Sequence, residues 1–318
     1  MLTYALFLLG FAVLIKGADL LVDGASSIAR RLRVSDLVIG LTIVAFGTSA
    51  PELFVNIFAS MQGNTDIAVG NIIGSNIVNM LFILGLAAVI YPLKVTKGTV
   101  WKEIPLSLLA VALVFFMAND RLVDRMDFDL LTRSDGLSLL AFFIIFLYYT
   151  FGIAKAQGEE FLAHPKQYSL FRSIGMIALG LFGLVVGGQW IVNGAISIAQ
   201  SFGLSEALIG LTIVAVGTSL PELATSLVAA YKKSPDIAVG NVVGSNIFNV
   251  FLILGLSSVI RPLPLNSDLN FDIMIAAAAA VLLFGWMFIG KHHRLERWEG
   301  GVFVAFYIFY LTVIIMRG

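Results

Sequence analysis

The chain has 318 residues, 59% of them hydrophobic and 13% charged, with a formal net charge of zero and a mean hydropathy of +0.95. Such an apolar balance places it among polytopic membrane proteins, with the lipid bilayer as its surroundings. The neutral total gives no support to a nucleic-acid partner, and the absence of cysteine excludes disulfides and thiolate metal sites.

Apolar stretches long enough to cross a bilayer fall near 2–23, 36–61, 66–91, 103–118, 136–153, 172–199, 206–231, 236–260, 271–290 and 300–316. The first carries Lys16 and Asp19 and has no small-residue cleavage site behind a basic leader, so it reads as a retained span. The fold expected is an all-α polytopic membrane protein of ten transmembrane helices, arranged as two inverted five-helix repeats. Residues 1–153 form the first repeat, 154–171 the loop between repeats, and 172–318 the second. An odd number of spans per copy turns the second upside down across the membrane, as in many secondary transporters.

Basic residues orient the chain. One side carries Arg30, Arg31, Arg33, Lys94, Lys97, Lys102, Lys155, Lys166, Arg172, Lys232, Lys233, Lys291, Arg294 and Arg297; the other has Arg121, Arg125, Arg133, Arg261 and Arg317. The richer side is expected to be cytoplasmic, leaving both termini outside the cell membrane. The acidic stretch 119–135 reads as a solvated outer loop, and a cation-attracting vestibule is its sharper alternative.

The duplication itself is plain. Residues 34–93 match 204–263 at 34 of 60 positions with no gap, a constant offset of 170 (204 − 34). Gly40–Leu53 reads GLTIVAFGTSAPEL against GLTIVAVGTSLPEL, and Asp66–Asn79 reads DIAVGNIIGSNIVN against DIAVGNVVGSNIFN. Packing alone would let such positions drift among Leu, Ile and Val. Here the oxygens, glycines and prolines were kept.

Glu52 and Glu222 lie deep inside the second and seventh spans. A carboxylate at that depth costs about 2.5–3.5 kcal/mol or more and marks a functional site. Pro51 and Pro221 precede them and are expected to kink each helix near Gly47 and Gly217, freeing carbonyls beside the acid. Thr48 and Ser49 share the helical face of Glu52, as Thr218 and Ser219 share that of Glu222. On the following spans Ser75 and Asn79, and Ser245 and Asn249, are each four residues apart and face one way. Gly70/Gly74 and Gly240/Gly244 form small-residue stripes that let helices approach closely. The donors are all hard oxygens. Two carboxylates balance one Ca²⁺, which takes six to eight oxygens, and the same shell could hold two or more Na⁺. Asp66 and Asp236, at helix starts, read as N-terminal acids that complement the helix dipole. Lys16 and Asp19 read as a structural pair within the first span.

On these two repeats, GTSAPE with GNIIGSNIVN and GTSLPE with GNVVGSNIFN, the chain resembles the calcium/cation antiporter superfamily, specifically its prokaryotic sodium/calcium exchanger branch. The resemblance spans nearly the whole chain. It implies ten helices in two inverted repeats, with the first and sixth helices sliding past the core. It implies cation ligands at Glu52, Glu222, Ser49, Ser219, Ser75, Ser245, Asn79 and Asn249, with carbonyls of Ala45, Thr48, Ala215 and Thr218. Some exchangers of the branch carry Asp where this chain has Asn249. Two acids rather than three fit Na⁺ exchange for a single Ca²⁺ and speak against potassium co-transport or proton participation. No resident cofactor is implied, and a monomer suffices.

A Ca²⁺/H⁺ or K⁺-dependent exchanger on the same scaffold is the alternative, because protons compete for buried carboxylates. An intramembrane hydrolase would also use paired acids, but His164, His292 and His293 all lie in loops, far from either motif. A passive cation channel needs no inverted repeat.

Overall fold

The computed structural model describes residues 2–156, 168–201, 215–266, 268–289 and 292–317. Its helices are α1 (Leu2–Leu32), α2a (Asp36–Thr48) and α2b (Ala50–Gln62), α3 (Thr65–Ile90), α4 (Thr99–Met117), α5 (Arg133–Ala156) and α6 (Leu170–Ser201). They continue with α7, described from Ala215–Thr218 and Leu220–Tyr231, then α8 (Pro235–Ile260), α9 (Leu269–Trp286) and α10 (Arg297–Arg317). Among the described residues eight helices are individually long and apolar enough to cross a membrane, and the bent pair α2a–α2b makes a ninth. The start expected for the seventh span lies outside the described residues, as does most of the loop between repeats.

Helix α1 runs nine residues past the expected end at 23, to Leu32, carrying Arg30 and Arg31 in its last turn. These charges cut short an apolar window but complement the helix C-terminus. The ends of α2b and α7 show how closely the repeats correspond. Gly63 (φ 84°) and Lys233 (φ 60°), 170 positions apart, both adopt the left-handed conformation. Behind them Asn64 N–H donates to Ala59 O and Ser234 N–H to Ala229 O, each at 2.9 Å. One C-terminal turn thus recurs, although the second copy lacks the glycine that the turn favours.

Helices α3 and α8 are the centre, 78% and 94% buried along their apolar windows, whereas α1, α4, α5, α6, α9 and α10 are buried over 22–39% of theirs. That contrast separates a polar inner pair from helices whose outer faces meet lipid, where Phe171, Tyr148 and Met316 project. α1 and α6 pack antiparallel on glycines seven residues apart. A Cβ on Gly10 would meet Gly187 O at 2.9 Å, one on Gly17 would meet Gly180 O at 2.8 Å, and one on Gly24 would meet Ser173 O at 2.9 Å. Equivalent helices of the two repeats therefore run in opposite directions.

Four short strands tie the ends together: β1 (Leu93–Lys94) with β4 (Arg294–Leu295), and β2 (Leu130–Leu131) with β3 (Leu263–Pro264), both antiparallel. The acidic outer loop is internally bonded. Asp120 accepts from Leu130 N–H at 2.8 Å, Asp129 from Arg121 N–H at 2.9 Å, and Asp135 from Thr132. Those three carboxylates hold the loop's shape.

Candidate cation site

The site is built from two helix breaks and two helix pairs. α2a and α2b meet at a 47° bend. The break falls at Ser49 (φ −80°, ψ 7°), two residues beyond Gly47, and Ser219 (φ −86°, ψ 5°) repeats it in α7. This differs slightly from the expected kink at the glycines. Pro51 and Pro221 sit in the first turn of the second segment, where a missing N–H is harmless, so the helix restarts there rather than bending upstream. The backbone conformation at both serines is sparsely populated and recurrent at functional positions. Because proline cannot donate, the carbonyls of Gly47 and Gly217 lose their usual helical partner.

The break brings the repeats into contact. Ser49 Oγ donates across to Glu222 Oε1 at 2.9 Å, and Ser219 Oγ donates to Glu52 Oε1 at 3.3 Å. Each serine thus serves the carboxylate of the other repeat. Ser245 Oγ adds a second donor to Glu222 Oε1 at 3.2 Å. Both glutamates are 1% exposed. No ion pair among the described residues includes either of them.

What remains is a shell of oxygens with nothing to bind. Glu52 Oε2, Glu222 Oε2, Ser75 Oγ, Asn79 Oδ1 and Asn249 Oδ1 are all buried and without a hydrogen-bond partner among the described residues. Buried polar atoms are normally paired, and each left bare costs about 1–3 kcal/mol, more for charged groups. Five such oxygens on the same repeated motifs, two of them carboxylate, form a donor set that a hard cation satisfies and a hydrogen-bond network does not.

The amides are held by partners that residue spacing along one helix does not reveal. Asn79 Nδ2 donates to Asn246 Oδ1 and Asn249 Nδ2 to Asn76 Oδ1, both at 3.0 Å. With their nitrogens held, Asn79 and Asn249 keep their amide oxygens free of any hydrogen bond among the described residues. Both lie in short π-helical turns, Val78–Ile83 and Phe248–Leu254, which rotate them relative to the preceding α-helix. The signal for Asn76 and Asn246 was their retention at offset 170, but helical periodicity places them off the Ser–Asn face.

Thr48 and Thr218 also join the two repeats. Thr48 Oγ1 lies 3.0 Å from Asn241 Oδ1, with the carbonyls of Val44 and Ala45 as further acceptors at 3.1 and 3.3 Å. Thr218 Oγ1 reaches Asn71 Oδ1 at 3.4 Å. Asn241 in turn donates to the backbone carbonyl of Glu222 at 3.2 Å and to Ser226 Oγ at 2.9 Å. Both hydroxyls thus reach amides of the opposite repeat. Ala45 O accepts from Ser49 N–H at 3.0 Å. The side-chain surroundings of Ala215 lie outside the description.

Close approach holds this arrangement. A Cβ on Gly240 would lie 2.9 Å from Leu37 O, and one on Gly244 would lie 2.9 Å from Leu41 Cα. Gly70 and Gly74 meet nothing comparable among the described residues; the segment equivalent to 37–41 is 207–211, outside them. Asp66 and Asp236 lie in the first turns of α3 and α8, as the sequence indicates, and the Lys16–Asp19 pair forms at 2.7 Å.

If the second-row amides position the first, removing one should cost binding without removing a ligand. Asn76→Leu and Asn246→Leu are each expected to weaken cation binding by about tenfold or more, as changes to the groups that orient metal ligands commonly do. Equilibrium binding of hard cations to the purified protein checks this, and unchanged affinity would make the amide pair purely structural.

Two buried carboxylates inside helices, surrounded by hydroxyl and amide oxygens and supplied by antiparallel copies of one motif, define a multi-pass membrane cation transporter. The chain belongs to the sodium/calcium exchanger protein family, whose model matches residues 2–152 and 172–316. It is 33% identical over 344 residues to sodium/calcium exchanger MaX1 of Methanosarcina acetivorans, covering 98% of each chain. It is 37% identical over 298 residues to inner membrane protein YrbG of Escherichia coli, covering 90% of this chain and 89% of the relative. A solved structure of the sodium-calcium exchanger NCX_Mj superposes with a TM-score of 0.84 at 36% identity, covering 98% of each chain.

Proposed function

We propose that this protein exchanges Na⁺ for Ca²⁺ across the cell membrane by alternating access, through ten helices in two inverted five-helix repeats. Glu52 and Glu222 carry the charge, and Ser49, Ser219, Ser75, Ser245, Asn79 and Asn249 supply neutral oxygens. Backbone carbonyls of Ala45, Thr48, Ala215 and Thr218 complete the shell, and the Thr48 and Thr218 hydroxyls help to fix it. The loops bearing Arg30–Arg33 and Lys232–Lys233 face the cytoplasm and both termini face outward. One chain suffices.

The observation that carries this reading is the set of five unpartnered buried oxygens on the repeated motifs, one from each of the two carboxylates and three from Ser75, Asn79 and Asn249. Emptied of cations, the site holds two negative charges away from water, and moving it past the membrane barrier in that form is prohibitive. One Ca²⁺ neutralises it, and so do two Na⁺. Either load permits occlusion and the empty state does not, so the two fluxes are coupled through a single site.

Proteoliposomes loaded with Na⁺ and diluted into Na⁺-free buffer containing radioactive Ca²⁺ should accumulate Ca²⁺ at constant pH, with or without K⁺. Uptake driven equally well by a pH gradient in the absence of Na⁺ would replace this reading with Ca²⁺/H⁺ exchange. Asn249→Asp adds a third acid to the shell and should change the Na⁺ dependence or pH sensitivity of uptake. An unchanged profile would place Asn249 outside the ion cluster.

A further inference from the structure

The two repeats are not in the same conformation, and the difference is marked by charge. α1 packs along α7, whereas α6 makes no contact of similar extent with α2b, the equivalent of that part of α7. Where α1 meets the end of α7, Lys232 Nζ lies 2.6 Å from Asp23 Oδ1 and 3.0 Å from the backbone carbonyl of Asp19, and it also pairs with the Asp19 carboxylate. All three ammonium donors are thereby engaged by one neighbouring helix. The Lys232 side chain is 23% exposed, less than either Asp, and Lys16 extends the cluster through Asp19 Oδ2 at 2.7 Å.

At offset 170 the counterparts of Asp19, Asp23 and Lys232 are Gln189, Asn193 and Gln62, all neutral. They do not meet: Gln189 Nε2 bonds Asn193 Oδ1 at 2.9 Å on its own helix, and Gln62 is exposed at the end of α2b. In an inverted-repeat transporter the opposite-facing state is reached when the repeats exchange conformations. That state would break the three-way charged contact and put only neutral amides in its place.

We propose that Asp19, Asp23 and Lys232 form a charged latch that keeps the cytoplasmic side of the transporter closed, and that the neutral Gln189, Asn193 and Gln62 leave the extracellular side without one. The resting population is therefore weighted toward the outward-facing state. The proposal rests on the alternating-access reading, but it concerns the balance between states rather than the ions carried. A partly exposed three-charge network of this kind shifts a two-state equilibrium by about three- to tenfold.

The chain has no cysteine, so a single reporter can be placed. Val228, on α7, packs against the apolar cluster that Leu21, Ala25 and Ile28 of α1 help to form. In the full-length protein carrying Val228→Cys, labelling by a membrane-impermeant thiol reagent from the cytoplasmic face reports how often α1 leaves α7. At fixed Na⁺, adding Lys232→Gln should speed labelling about three- to tenfold, as should Asp19→Asn with Asp23→Asn. Lys232→Arg should leave it near the parent rate. Na⁺-driven Ca²⁺ uptake should persist in Lys232→Gln, because Lys232 is no part of the cation shell. Unchanged labelling in Lys232→Gln would overturn the latch, as would an equal acceleration at a cysteine replacing the buried Ala279 of α9, which would mean general loosening. Faster labelling at position 228 alone, in a protein whose parent fails to exchange Na⁺ for Ca²⁺, would uphold the latch and refute the exchange reading.

Discussion

Glu52→Gln and Glu222→Gln are each expected to abolish Ca²⁺ transport while leaving a protein that inserts and folds. Each substitution keeps the shape of the side chain and removes half the negative charge that faces the ion. The two glutamates are buried, have no basic partner among the described residues, and share their serines crosswise between repeats. Taking one partner from a buried charge assembly costs about 3–5 kcal/mol, or roughly two to three and a half orders of magnitude in Ca²⁺ affinity. The ion-free protein should respond differently. With one of two like charges gone, its thermal stability should hold or rise, since a buried charge without a counter-ion is a liability to the fold. A variant that loses binding and keeps its melting temperature separates ligand loss from misfolding. Wild-type flux in either variant would refute the shared site.

The second large effect is expected between α1 and α6. A Cβ on Gly180 would stand 2.7 Å from Leu21 N and 2.8 Å from Gly17 O, both backbone atoms that cannot swing aside. Gly180→Leu must therefore push the helices apart along their glycine seam. Overpacking of this kind costs about 1–3 kcal/mol, and here it also alters a pair of equivalent helices that packs across the two repeats. Thermal stability of the solubilised protein and Na⁺-driven Ca²⁺ uptake should both fall. Gly301→Leu, on the exposed face of α10 with nothing within 4 Å, is the matched control and should leave both unchanged. Equal effects at the two positions would show that the seam has no special role.

Much of this site was legible because duplication preserves chemistry at a fixed offset. Glu52 with Glu222, Ser49 with Ser219, and Ser245 could be placed together from the sequence, since proline, hydroxyl and carboxylate recur inside apolar helices where each is costly. Periodicity along one helix identifies side chains that share a face, but it does not say which other helix that face meets. The crossing of Ser49 to Glu222, rather than to Glu52 three residues away, follows from the break at Ser49 and was not visible. Asn76 and Asn246 were missed for the same reason, lying off the Ser75–Asn79 and Ser245–Asn249 faces and pointing at each other's helices. The π-helical turns at Val78–Ile83 and Phe248–Leu254 carry no recognisable residue signal. Lys232 was read as one more positive charge in a cytoplasmic loop, and only its contact with Asp19 and Asp23 gives it a second role. The long end of α1 was lost because Arg30 and Arg31 close an apolar window without ending a helix.

The account stands on one shell of oxygens that accepts either Ca²⁺ or Na⁺, never both loads at once. Calorimetric titration of the purified, ion-depleted protein with Ca²⁺ tests this most directly. It should give one Ca²⁺ per chain, displaced competitively as Na⁺ is raised, with the signal lost in Glu52→Gln and in Glu222→Gln alike. Ca²⁺ binding that is indifferent to Na⁺, or that survives either substitution, would contradict it.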